Sequence, residues 1–185
     1  MQALDLLLNR VSVGRLLEPA PDAAQRELMF RAALRAPDHG QLRPWRFITV
    51  DGEARVRLGE LFAEAQAQDP ASKPEALDKA RAMPLRAPLL VVVVARIAEH
   101  PKVPQEEQLL SAGCAAHSLL LATQALGFGA IWRTGALAQH PHVLAGLGLE
   151  AGEKIVGFLY VGSFEGERRN PPALQPLDFV SAWQG

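Results

Sequence analysis

The 185-residue chain has one cysteine, Cys114, which excludes an internal disulfide framework and any multi-cysteine zinc site. No Gly-x-Gly-x-x-Gly follows a candidate strand and no Walker A lysine is present, so the common nucleotide cradles are missing. No Gly-x-Ser-x-Gly elbow presents an activated serine. The histidines lack zinc-ligand spacing; His140-Pro141-His142 reads as a solvated helix start. With 19 Lys and Arg against 20 Asp and Glu, the concentrated basic charge that nucleic acid requires is absent. There is no internal repeat, and 15 glycines with 14 prolines fall short of low complexity. Met1-Gln2-Ala3-Leu4-Asp5 carries no basic n-region, so no signal peptide is expected and a cytoplasmic location is the default.

What is present is an ordinary globular composition, expected to form a single domain over residues 1–185. Leu4, Leu7 and Leu8 recur at helical spacing. Asp22, with Gln25 three residues later, forms a capping-box start for a second helix, which Pro37 stops. Phe47 to Val50 reads as a strand, residues 53–67 as a helix, and a shorter helix runs to about Leu85. The unbroken run Leu89–Val94 predicts a strand covered on both faces. Gln105 to Leu126 is the longest helix; its Ser111, His117, Ser118, Thr123 and Gln124 argue against a membrane span. Within it Cys114 reads as buried, inert core. Gly127-Phe128-Gly129 ends that helix, residues 130–135 are extended, Pro141 to Leu147 is a short helix, and Lys154 to Gly162 is a central strand. The tail, Ser163 to Gly185, carries enough apolar groups to dock on a neighbour.

Two polar stretches interrupt this pattern. Arg10-Val11-Ser12-Val13-Gly14-Arg15 offers charged forks and a hydroxyl suited to a phosphate, or else is a basic surface loop. The stretch from Arg35 to Phe47 places Arg35, Asp38, His39, Gln41 and Arg43 around two prolines, as a binding loop or a solvated turn. Pro44 is expected to hold Arg43 extended. Arg35 either answers a helix dipole or enters a polar site. No acid/base pair, nucleophile or metal set converges anywhere, so chemistry is expected to belong to a cofactor.

Three stretches resemble the FMN-dependent nitroreductases. Arg10 to Arg15 is similar to the family's Arg-Arg-Ser opening. Ala36-Pro37-Asp38-His39-Gly40-Gln41-Leu42-Arg43-Pro44-Trp45-Arg46-Phe47 resembles its Ala-Pro-Ser-x-x-Asn-x-Gln-Pro-Trp-x-Phe loop. Gly127 to Gly135, with Ile155 to Gly162 behind it, resembles the flavin-edge segment and last core strand. The resemblance implies an α+β fold: a mixed central sheet of four to five strands flanked by helices, in an interlocked homodimer with FMN at each end of the interface. It implies that Arg10, Val11 (through its backbone) and Ser12 hold the phosphate or ribityl chain. Arg35 and His39 would reach the same flavin from the partner, while Ile131, Trp132 and Arg133 line ring and phosphate. Thr123 and Gln124 fall where a nicotinamide would be met. The chain departs from the pattern in three places. Val11 replaces the second arginine, with Arg15 or Arg133 as substitutes; His39 and Gln41 stand where serine and asparagine occur; and Arg168-Arg169 is an imperfect counterpart of a Lys-Pro-Arg tail. The implied activity is ping-pong electron transfer from NADH or NADPH to nitroaromatic, quinone or similar acceptors. Related reactions on this fold include reductive dehalogenation. The alternatives are a non-catalytic FMN-binding redox sensor or store, and a structural dimer with a vestigial site.

Overall fold

The structure, a computed structural model, describes residues 2–185. Its strands are β1 Trp45–Asp51, β2 Leu89–Arg96, β3 Gly129–Arg133 and β4 Glu153–Gly162, in one sheet of order β1-β2-β4-β3. The helices are α1 Ala3–Leu8, α2 Ala23–Ala33, α3 Ala54–Ala67, α4 Pro74–Ala82, α5 Gln105–Ala125 and α6 Pro141–Gly146. All three strand pairings are antiparallel, which corrects the expectation of a mixed sheet. The connections explain it. Two helices, α3 and α4, lie between β1 and β2, and an even number of traverses re-enters the sheet reversed. The single crossover α5 gives β2 and β3 one direction, but β4 is inserted between them and runs against both.

Alternation along the strands supplies two cores. Leu90, Val92 and Val94 of β2 join Phe158 and Tyr160 of β4 beneath Phe62 of α3. Leu89, Val91 and Val93 face the other way, toward Met29 of α2 and Ala112, Ala116 and Leu119 of α5. The run Leu89–Val94 is fully buried, as its sequence predicts; each such side chain contributes about 1.5–3 kcal/mol. The capping box is present: Gln25 N–H donates to Asp22 Oδ1 at 2.8 Å and Asp22 N–H to Gln25 Oε1 at 2.9 Å. The inward face of α2 is Met29 and Ala33, with Ala36 buried just beyond its end, while Leu28 and the following Arg35 are exposed.

Small residues Ala112, Ala115 and Ala116 bring α5 onto the sheet. Cys114 lies on the opposite side of that helix and is exposed, correcting its reading as core. It falls off the i, i+3, i+4, i+7 stripe that faces the sheet and shares its outward face with Leu110 and His117. Among the described residues, no helix is long and apolar enough to cross a membrane.

Candidate functional site

Residues 10–17 leave α1 and run beside β3. Val13 N–H donates to Ala130 O at 2.9 Å, and Leu17 and Ser163 exchange both backbone hydrogen bonds at 2.8 Å. Gly129 permits this approach, since a Cβ there would lie 2.9 Å from Leu16 Cδ2 and 3.0 Å from Val13 Cβ. At the end of α5, buried Gln124 clamps the motif: its Nε2 donates to Asn9 O at 3.0 Å and its Oε1 accepts from Val11 N–H at 3.3 Å. Thr123 is also buried and donates to Leu119 O at 2.8 Å. Both residues that the resemblance places near a nicotinamide are thus buried at the end of α5. Gln124 holds the motif in place, and the Val11 amide is already engaged.

The result is a cleft of about 400 Å³ lined by Arg10, Val11, Ser12, Ile131, Arg133 and Arg169, among others, with no carboxylate in its wall. Arg133 Nε is buried and has no hydrogen-bond partner. Arg169 is the member that sequence reading undervalued. Its neighbour Arg168 anchors the segment, donating to Phe128 O at 3.2 Å and lying 4.7 Å from the Phe164 ring centroid. Two adjacent arginines thus divide into an anchor and a lining residue, a division that a motif comparison alone does not show.

The two-residue period of β3 separates the expected trio. Ile131 packs toward the α3 core and Arg133 lines the cleft with it. Trp132 packs toward the α5 core instead, and its Nε1 donates to Val156 O at 3.3 Å. Gly157 makes room for that indole; a Cβ there would lie 2.0 Å from Trp132 Nε1. The Arg133 guanidinium lies 5.8 Å from the centroid of the Tyr160 ring. Burial pushes the Tyr160 phenol above its ordinary pKa, partly opposed by Arg133 and Arg86, so it stays protonated at neutral pH.

The loop from Arg35 to Phe47 lies at the other edge of the sheet, where it feeds β1. It is braced from within: Asp38 accepts from Leu42 N–H at 3.1 Å and from Arg43 N–H at 2.8 Å. Gly40, Gln41 and Arg43 all take positive φ, of 73°, 54° and 50°. The expectation that Pro44 holds Arg43 extended is therefore corrected; the Asp38 carboxylate overrides the residue's local preference. Ser111 of α5 donates to Pro37 O, and exposed His39 pairs with Glu107 at 2.6 Å. Arg35, Asp38, Gln41, Arg43 and Arg96 line an open hollow of about 800 Å³. Arg46, also in its wall, grips Glu153 with Nε and Nη2, both at 2.6 Å. That bidentate contact holds the Glu153 carboxyl below its ordinary range.

Within one chain the structure brings Arg10, Val11, Ser12, Ile131 and Arg133 together and leaves Arg35 and His39 apart. β1 and β3 are the two outer strands, separated by β2 and β4. Three strand spacings amount to about 14 Å.

Residues 7–163 match the Nitroreductase family. The chain is 48% identical over 163 residues to an Escherichia coli (strain K12) protein named "Putative NAD(P)H nitroreductase YdjA", covering 88% of each. Among solved structures, a nitroreductase-like family protein from Bacillus cereus superposes with a TM-score of 0.84, at 22% identity over 100% of this chain and 97% of that one. A nitroreductase with bound FMN from Bacteroides fragilis superposes with a TM-score of 0.74, at 21% identity over 98% of each chain. The chain belongs to the nitroreductase family.

Proposed function

We propose that this chain is an FMN-dependent oxidoreductase acting as a single nitroreductase domain over residues 1–185 in the cytoplasm. The carrying observation is the cleft that Arg10, Ser12, Arg133 and Arg169 form without a carboxylate. Such a donor set fits a phosphate: charge-assisted forks from several directions, a hydroxyl, and no opposing anion. The buried, unpartnered Nε of Arg133 leaves that guanidinium in need of an anion. Bound FMN would supply the redox chemistry, taking hydride from NADH or NADPH and returning two electrons to a nitroaromatic, quinone or similar acceptor in a ping-pong cycle. The protein's part is to hold the phosphate at Arg10 and Ser12, place the ring beside Ile131 and Arg133, and keep the Gln124 clamp rigid.

The working unit is a homodimer. Arg35 and His39 are too far from the cleft of their own chain, so a second copy supplies them. Apolar groups suited to such an interface are exposed on α1, α5 and the tail, including Leu4, Leu8, Leu110, Leu177, Phe179 and Trp183. The test is the absorbance spectrum of the purified protein, followed by acceptor-dependent NAD(P)H oxidation. The expected outcome is bound flavin with turnover on electron-poor acceptors. Bound flavin without turnover would replace the enzyme by a redox sensor or store, and a colourless protein indifferent to added FMN would overturn the cofactor.

A further inference from the structure

A second cavity, of about 310 Å³, adjoins the cleft. Arg133 is the residue that lines both hollows. The cavity wall adds Arg86, Thr134 and Tyr160 over an apolar floor that includes Phe62 and Leu137, and it contains no carboxylate. Arg86 is presented by a rigid turn, Pro84–Arg86, with Pro84 and the following Ala87 buried. Among the described residues its guanidinium has no ion-pair or hydrogen-bond partner. Two uncompensated cations therefore border one cavity with aromatic and aliphatic walls, an arrangement suited to a flat ring system with a carbonyl-rich edge.

We propose that Arg86 is the second cation beside the flavin ring and favours the reduced cofactor. The inference rests on the FMN reading above. Reduced flavin carries more negative charge than oxidised flavin, so a nearby cation stabilises it more. Tyr160 lies near both cations in the cavity wall, and each opposes the effect of burial on its hydroxyl. Arg86 contacts neither Arg10 nor Ser12 in the phosphate cleft, so its loss should leave the oxidised flavin largely bound.

The experiment measures the midpoint potential of the flavin-loaded dimer for wild type, Arg86→Leu, Arg86→Gln and Arg86→Lys, with flavin content read from absorbance. Removing one charge-assisted contact should lower the preference for reduced over oxidised flavin about tenfold. For a two-electron couple that is a shift of about 30 mV to more negative potential. Leu and Gln should both show it, and Lys should recover most of it. Unchanged potentials in flavin-loaded Leu and Gln variants would overturn the inference while leaving the FMN reading intact, as would a Lys variant that behaves like Leu. A wild type that takes up no FMN would overturn both.

Discussion

The two sheet edges solve opposite problems. At β3, cations gather without anions: Arg10, Arg133 and Arg169 face one cleft, and the Arg133 Nε lacks any partner. At β1 most charges are already answered, with His39 on Glu107, Arg46 on Glu153, and Asp38 on two loop amides. A buried donor left without a partner has a cost in a folded chain, and Arg133 Nε carries that cost at the edge of the cleft. The β3 edge therefore reads as the receptor and the β1 loop as a rigid arm. On the proposed reading, the two come together in a pair of chains.

This contrast can be broken in order of effect. Arg10→Ala should lower flavin affinity the most, about 10- to 100-fold, as one charged contact is lost. Circular dichroism should be unchanged, because the side chain lines the cleft and supports no core. Full flavin occupancy in that variant would remove the receptor role of the β3 edge. Gln124→Ala releases both Asn9 O and Val11 N–H, so it should cost about 1–3 kcal/mol of stability and weaken flavin binding in proportion. Equal flavin affinity in that variant would mean that the motif is positioned some other way.

A smaller effect belongs to the β1 side. The Glu153 carboxyl is held low chiefly by its contact with Arg46. A depressed carboxyl stabilises the fold fully above its unfolded value, about 4.3, and progressively loses that contribution as pH falls through the lower folded value. Glu153→Gln should therefore destabilise the protein near neutral pH, and the gap to wild type should narrow below about pH 4. A gap that stays constant across that range, followed by thermal melts, would assign the contact no electrostatic role.

Much of this arrangement was legible in the sequence because it follows from local rules. The helix of residues 105–126, the buried run Leu89–Val94 and the Asp22 cap lie close to where periodicity and capping put them. Long-range contacts were harder to read. Nothing local announces that a buried Gln124 will reach back across the fold to Asn9 and Val11, or that Arg168 will anchor while Arg169 lines the cleft. The Arg43 backbone was misjudged because Asp38, five residues earlier, outweighs the adjacent Pro44. Cys114 was misjudged because small residues surround it in sequence, whereas burial follows the helix face. The period of β3 also sends Trp132 away from its two neighbours, a separation that a motif read as a block obscures.

The central claim, that one edge of each chain completes the other edge of its partner, is tested by mixing two inactive parents. One carries Arg10→Ala and Arg133→Ala; the other carries Arg35→Ala and His39→Ala. In a mixed dimer one site keeps Arg10 and Arg133 from one chain and Arg35 and His39 from the other, while the second site lacks all four. Mixed dimers are expected to regain flavin and turnover at one of their two sites. Mixed dimers no better than either parent would contradict it.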